Sequence, residues 1–420
     1  MQNDDVRAGP RMALQGITVL DCTQILAGPY CGRILADLGA NVVKVEKPDG
    51  GDDVRKGGTM SLAGDSPQFH SLNRNKQSLA IDLHDPRGKD LFLQLVDHAD
   101  VVLENFRPGT MDRLGLGFET IHARNPRLVY CSISGFGQTG PYRERGGFDL
   151  VAQGMSGLMS MTGYPDMPPA KVGVPVTDIS AGMFGALGIL AALMSRERTG
   201  EGQHVDTSLL EAGISFTVTE SAYLWAAHEV AYPNGSAHRN RAPYQAVRSA
   251  DGYVIVATGT DGTWDKLIEA IDRHDLPADE RFATNRARVK NCPALIEELE
   301  MTLTTQPTAY WVERLNQFGC PAGPIYDIEQ VYQDPHVQAR EMEVHVQHPL
   351  AGDVGQIGFP VKFSATPARV RTAAPVLGEH TEEVLLELPA VNQGIIDELI
   401  QAGVLRTAAD KLPASTPVKL

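Results

Sequence analysis

Apolar and polar residues along this chain follow two periods in turn. Short β-branched runs are separated from segments whose apolar residues recur every three or four positions. Ile17–Asp21 reads as a short buried strand and Asn41–Glu46 as a second one. Between them, Tyr30–Leu38 reads as a helix closed by Gly39, at the position where a left-handed residue ends a helix. Ser78–Leu83, Val101–Leu103 and Leu128–Ile133 are further strands, and Pro86–His98 is an amphipathic helix with Leu91, Phe92, Leu95 and Val96 on adjacent rows. Strands alternating with helices predict the α/β class, with a parallel sheet covered by helices on both faces. Ligands of such sheets bind outside the carboxyl ends of the strands, where the loops Cys22–Pro29, Glu104–Gly109 and Gly135–Pro141 collect.

The stretch Lys171–Leu193 departs from this alternation. An apolar extended run ends at Asp178, and small and aliphatic residues follow, with Ser180 the only polar side chain before Ser195. Gly182, Ala186 and Gly188 let another backbone pack close, so this helix is expected to be buried on most sides. Val205–His228 reads as mainly helical, and the Pro, Asn, Gly, Ser and Arg of Ala231–Arg241 as a linker. Tyr253–Ala257 is then a strand, and Thr263–Ile271, Ala294–Thr304 and Thr308–Phe318 are helices of a smaller α/β domain. Strand-like segments return at 356–358 and 361–363, and Thr381–Glu387 and Ile395–Ala402 read as terminal helices. The expected organisation is a leader at 1–15, a large domain at 16–228, linker and small domain at 229–335, a return to the large domain at 336–407, and a disordered tail at 408–420. A chain that leaves a domain and re-enters it can leave an opening between its two connections.

At 420 residues there is material for two or three domains. The net charge of −15 argues against nucleic acid or an anionic membrane surface as partner. No uninterrupted apolar stretch reaches the ~18 residues of a membrane span, because Leu193 is followed by Met194-Ser195-Arg196-Glu197-Arg198. The start, Met1-Gln2-Asn3-Asp4-Asp5, lacks the marks of a signal peptide, so a cytoplasmic location is expected. Cys22, Cys31, Cys131, Cys292 and Cys320 never form a Cys-x-x-Cys pair; they read as reduced thiols, with neither a metal site nor a disulfide framework.

The chemistry has few candidates. The chain has no Gly-x-Ser-x-Gly elbow, phosphate-binding P-loop or His-Glu-x-x-His, and the first loop lacks the Gly-x-Gly-x-x-Gly of dinucleotide sites. That loop still ends a strand and opens a helix, a geometry that suits an anion. Lys47, Arg55, Arg107 and Arg113 are either phosphate ligands or solvated charge. His238–Gln245 is either a ligand-facing loop or a polar linker. Asp178 and Asp149 each read two ways: as a helix cap, or as a carboxylate with chemistry to do.

Several of these segments together resemble the class III coenzyme A transferases, which include formyl-CoA:oxalate and carnitine CoA-transferases. The resemblance runs from Gly16 to Leu405. It is carried by 19–21 with 27–29, by 38–46, Gly51-Asp52-Asp53-Val54-Arg55, Asn73-Arg74-Asn75-Lys76, Glu104-Asn105-Phe106-Arg107-Pro108-Gly109, Asp112-Arg113-Leu114-Gly115, Thr177-Asp178-Ile179-Ser180-Ala181-Gly182 and Leu377-Gly378-Glu379-His380-Thr381. It implies a Rossmann-like large domain and a small domain joined by two connections, in ring-shaped monomers interlocked as a homodimer. It implies Asp178 as nucleophile, supported by Asp149, Phe148 and Leu26. Contacts to CoA are implied at Ile25, Ala27, Lys47, Ile81, Asp82, His84, Asn105, Phe106, Arg107 and Arg113. Leu26, His84 and Asp149 stand where the oxalate enzyme has an amide, a lysine and a glutamate, and the tetraglycine loop has no counterpart at 238–245. These departures point away from oxalate as acceptor.

The implied activity moves CoA from an acyl-CoA, with succinyl-CoA the expected donor, to a carboxylic acid, expected to be a short dicarboxylate. The CoA thioester is a substrate, with no tightly bound cofactor and no metal. A carboxylate nucleophile suits this reaction, because mixed-anhydride and aspartyl-CoA intermediates keep the thioester's free energy from being lost to water. The alternatives are an α-methylacyl-CoA racemase, which uses a His/Asp acid–base pair on the same fold, and an inactive acyl-CoA-binding protein.

Overall fold

The computed structural model describes residues 12–408. The greater part of the leader and of the tail expected at 408–420 lies outside the described residues. The chain divides into two units by contact density. The first comprises the described residues through Leu158, Val172–Ser221, and those from His336 onward; the second comprises Met159–Lys171 and Ala222–Pro335. Residues 159–171 and 222–228, which the sequence reading placed in the large domain, thus fall in the second unit.

The first unit is built on seven strands: β1 (Thr18–Asp21), β2 (Asn41–Glu46), β3 (Lys76–Ile81), β4 (Val101–Glu104), β5 (Val129–Ser134), β6 (His204–Ser208) and β12 (Leu405–Arg406). Their spatial order is β12-β3-β2-β1-β4-β5-β6, parallel throughout except for β12, which pairs antiparallel with β3. The order 3-2-1-4-5-6 places a topological switch between β1 and β4, where the connections leave on opposite sides and a crevice opens. β1, β2, β4 and β5 are buried almost end to end, as expected of parallel strands covered on both faces.

Two apolar cores sandwich the sheet. On one face, Leu35, Ala181, Ala186 and Ile189 of the helices Ala27–Asp37 and Val176–Thr199 pack on Val19, Val42, Val101 and Val129. On the other, Phe92, Ile121, Leu385 and Ile396 pack on Leu20, Val43, Leu79 and Val102. The helix Ala27–Asp37 begins three residues earlier than its apolar periodicity suggests, and Gly39 closes it at φ +105°.

Three local expectations change. Val205–Ser208, taken as the start of a helical segment, belongs to an edge strand, His204–Ser208, paired with β5; Val205 is its single large apolar residue, so nothing in its pattern marks a strand. The span 47–75, to which the sequence reading assigned no element, contains a 3-10 turn at Asp53–Lys56 and a helix at Pro67–Leu72. Residues 356–357 close a hairpin of β10 (Glu343–His348) and β11 (Gly352–Ile357), whereas 361–363 form no strand. The helix Val176–Thr199 is long and apolar enough to cross a membrane by length and composition alone, and half of that span is buried in the unit. It starts before Asp178 and continues past Leu193 to Thr199, so it exceeds the apolar run read from sequence at both ends.

The second unit contains a three-stranded antiparallel sheet, β7 (Tyr244–Arg248), β8 (Tyr253–Ala257) and β9 (Ala322–Pro324). Its core joins Val254 and Val256 to Trp264, Leu267, Leu299, Trp311 and Leu315 from three helices.

Candidate active site

The carboxyl end of β1 runs into a tightly determined loop. Asp21 is fully buried and ion-paired with Lys76 at 2.8 Å, and its other oxygen accepts the Thr23 N–H at 3.0 Å. Lys44, also fully buried, donates to the Thr23 carbonyl at 2.9 Å and pairs with Asp52 at 2.9 Å. Asp52 in turn accepts the Ile25 N–H at 3.1 Å. Ile25 sits at φ +70°, a left-handed conformation that is strained for a β-branched residue. The buried ion network therefore holds a backbone that local preference opposes. Across the switch point, Asn105 at the end of β4 accepts from the Gln24 N–H and donates to the Gln24 carbonyl, both at 2.8 Å. This reciprocal pair fastens the β1 and β4 loops together.

The loop hands over to the helix Ala27–Asp37, whose start at Leu26 has no side-chain cap. The N–H groups of Ala27 and Gly28 find no hydrogen-bond partner among the described residues. The helix Val176–Thr199 crosses here. A Cβ added to Gly182 would lie 2.5 Å from the Ala27 carbonyl oxygen, so only glycine permits this approach. Asp178 stands one turn before that contact, in the first turn of its helix.

Asp178 does not cap its helix. The N-cap residue is Pro175, and the first-turn N–H of Thr177 is taken by Asp149, at 3.0 Å, with the Thr177 hydroxyl on the same oxygen at 2.8 Å. Gln153 donates to the other Asp149 oxygen at 2.7 Å. Asp149 therefore caps the neighbouring helix, not its own, whose N-cap is Phe148. The Asp178 carboxyl accepts no hydrogen bond among the described residues. Burial, reinforced by the like charge of Asp149, pushes it up to about 7. Of the two sequence readings of Asp178, the helix cap is thus corrected: the first-turn amide is engaged by Asp149.

Asp178 lines a cavity of about 210 Å³ with Ile25, Leu26, Ala27, Asn105, Phe106, Arg107 and Phe148. Eight of the residues singled out from sequence converge there, and Asp149 lies directly behind. The cavity is completed by Ile133–Gly135 at the end of β5, by Leu209, and by Arg145–Gly147. Of these, only Gly135 had been marked, as the start of a strand-end loop; the others had not been singled out. Their signal was present, since Gly135 opens a strand-end loop, and the Gly147 backbone presses on it so closely that a Cβ on Gly135 would lie 2.6 Å from the Gly147 Cα. Arg107 forms no ion pair among the described residues, and Arg145 stacks on Tyr142 at 3.7 Å.

The remaining candidates lie outside the cavity. Lys47 and the 82–84 segment follow the carboxyl ends of β2 and β3, on the same edge of the sheet. Lys47 pairs with Asp53 at 2.6 Å, Asp82 accepts the His84 N–H at 2.9 Å, and Arg113 donates to Thr110 at 2.9 Å. Ile81 is a buried core residue. Arg55, read as a phosphate ligand or surface charge, is neither: it is buried and held by Glu46 at 2.7 Å and Asp65 at 2.7 Å.

Comparison with known proteins bears on this arrangement. The model of CoA-transferase family III matches residues 14–381. The chain is 40% identical to the succinate–glutarate CoA-transferase of Agrobacterium fabrum, over 90% of this chain and 96% of that one. It is also 40% identical to the succinyl-CoA:mesaconate CoA-transferase of Haloarcula hispanica, over 89% of this chain and 96% of that one. The crystal structure of a CaiB/BaiF family protein from Brucella suis superposes with a TM-score of 0.82 at 40% identity, covering 90% of this chain and all of that one. A mixed α/β fold with a largely parallel sheet is common to both. This chain belongs to CoA-transferase family III.

Proposed function

We propose that this enzyme transfers CoA from succinyl-CoA to a short dicarboxylate, with Asp178 as the nucleophile. The observation that carries the reading is the uncapped Asp178 carboxyl in a cavity formed by the strand-end loops at the switch point. Two relatives named for succinyl-CoA or succinate have glutarate and mesaconate as the other acid, and both are five-carbon dicarboxylates.

The ionised Asp178 attacks the thioester carbonyl; the carbon–sulfur bond breaks, giving an aspartyl–succinyl anhydride and CoA thiolate. The thiolate attacks the aspartyl carbonyl, releasing succinate and leaving an aspartyl-CoA thioester. The acceptor carboxylate attacks that carbonyl to give a second anhydride and thiolate. Thiolate attack on the acceptor's acyl carbon then yields the new CoA ester and restores the Asp178 carboxylate. No water enters the balance. The N–H of Ala27, which lines the cavity and has no partner among the described residues, is a donor available to the developing oxyanions. Ile25, Asn105, Phe106 and Arg107 hold the CoA portion beside the nucleophile, with Lys47, Ile81, Asp82, His84 and Arg113 further along the same edge. A racemase of this fold needs a histidine paired with an aspartate, and no histidine lines the cavity among the described residues.

The partner is a second copy of the chain, in an interlocked dimer of rings. Met183, Phe184, Leu187 and Met194 expose one side of the long helix, and Val151, Met155 and Ile214 add exposed apolar surface from neighbouring helices. These exposed apolar side chains support that reading. The test of function is a panel of acids offered with succinyl-CoA, read by the appearance of the new CoA ester. Glutarate and mesaconate are expected to be accepted, and acetate and oxalate poorly; a preference for monocarboxylates contradicts the assignment.

A further inference from the structure

Glu104 closes β4 immediately before the Asn105–Pro108 loop, and its side chain turns inward, with 5% of the residue exposed. One oxygen, Oε2, accepts the Phe106 N–H at 2.8 Å. The hydroxyl of Ser132, its register partner on β5, lies near enough to the carboxyl to favour its ionised form. The Ser132 hydroxyl in turn meets Nε2 of His204 on β6 at 2.9 Å. His204 is sandwiched against Phe118, with ring centroids 5.1 Å apart. Three adjacent strands thus carry a single file of polar groups under the loop that lines the cavity.

A serine hydroxyl has one hydrogen, so the direction of this file depends on Glu104. With Glu104 ionised, Ser132 donates to the carboxylate and accepts from the His204 Nε2–H. With Glu104 protonated, the carboxyl O–H donates to Ser132, which donates to a bare Nε2. The Phe106 N–H is held in both states, but the bond is charge-assisted only when Glu104 is ionised, and such bonds are roughly twice as strong. We propose that Glu104 is a positioning residue for the Phe106–Arg107 loop, and that the Glu104–Ser132–His204 file makes the grip on CoA depend on the proton held at Glu104. This rests on the reading that Phe106 and Arg107 contact CoA.

The surroundings put that proton in a useful range. Burial raises the Glu104 carboxyl to about 7, with Asp112 and Asp206 adding like charge; the hydrogen bonds from Ser132 and Phe106 oppose the rise. On its own face of the sheet, Cys22 and Tyr130 flank it as a thiol and a phenol held protonated by burial, and the Cys131 thiol, likewise held protonated, packs on the opposite face. On the far side of Ser132, burial lowers His204, against the pull of Asp206, Asp112 and Glu119.

The test is the affinity of the full-length enzyme for CoA itself, by calorimetry, on both sides of neutrality. In the wild type, CoA is expected to bind about fivefold more tightly above neutrality than below it, as the charge-assisted bond forms. Glu104→Gln keeps an acceptor for Phe106 and a donor for Ser132 but carries no charge, so it should bind at the weaker level throughout. The phosphate of CoA titrates in both proteins and cancels in the comparison. Superimposable pH curves for wild type and Glu104→Gln overturn the proposal. Should Glu104→Gln fail to fold, Ser132→Ala carries the test: losing a donor to the carboxylate must move the midpoint to higher pH, and an unmoved midpoint overturns it. A wild type that binds no CoA at any pH overturns the transferase reading, and this inference with it.

Discussion

The carboxylate of Asp149 accepts both the backbone N–H and the hydroxyl of Thr177, at 3.0 and 2.8 Å, so the helix that carries Asp178 is capped from outside. A first-turn aspartate would ordinarily take such an amide itself. Because Asp149 has taken it, Asp178 faces the cavity without a hydrogen bond, and burial, reinforced by the like charge of Asp149, raises its pKa.

Separating these two roles of Asp149 needs two substitutions. Asp149→Ala removes the cap and is expected to cost about 1 kcal/mol, read by urea denaturation. Asp149→Asn keeps an acceptor for Thr177 and removes the charge, at the cost of setting its amide against the Gln153 donor, and the acid limb of kcat against pH should move to lower pH. A limb that stays put in Asp149→Asn contradicts the like-charge account.

The raised Asp178 sets opposite pH trends for activity and stability. Attack requires the carboxylate, so kcat should rise with pH through about 7 and level off above it. For stability, the folded pKa lies above the unfolded one, so between about 4 and 7 the native state binds the extra proton. Stability therefore falls as pH rises through that window. Asp178→Asn, which cannot ionise, should melt higher than wild type at pH 8 and match it at pH 4. A variant that melts lower at pH 8 contradicts the assigned burial cost.

Gly182 tests how the nucleophile is placed. A Cβ there meets the Ala27 carbonyl oxygen at 2.5 Å, and backbone cannot swing away as a side chain can. Gly182→Ala is expected to cost about 1–3 kcal/mol by overpacking and to reduce kcat more than it raises KM for the acyl-CoA. Unchanged kcat would show that Asp178 does not depend on this contact.

The strained Ile25 loop is tested through Asp52. Asp52→Asn leaves the buried Lys44 without its 2.9 Å partner and should cost about 3 kcal/mol. A Lys44→Met/Asp52→Leu double variant should recover most of that stability, as apolar replacements of buried pairs do. It lacks an acceptor for the Ile25 N–H, so its affinity for CoA should fall below that of the wild type. Full recovery of CoA binding would argue that the ion network serves the core alone.

What the sequence made legible was what depends on local pattern. The buried β-branched strands set the α/β class, and Gly39 marked a helix end later seen at φ +105°. Gly182, read as a place for close backbone approach, meets Ala27. What stayed hidden depends on partners distant along the chain. Arg55 is indistinguishable in sequence from a phosphate ligand until Glu46 and Asp65 are seen to enclose it. His204–Ser208 is a strand only because the β5 edge offers it a ladder. That Asp149 caps the helix of Asp178 follows from a contact across 28 positions, which no periodicity encodes.

The most direct test of the central claim is to incubate the enzyme with succinyl-CoA alone, quench with hydroxylamine, and map the modified peptide by mass spectrometry. Without an acceptor the aspartyl-CoA thioester should accumulate, and hydroxylamine should convert it to a hydroxamate on Asp178. Active transfer accompanied by an unmodified Asp178, or by a hydroxamate on another carboxylate, would contradict the account.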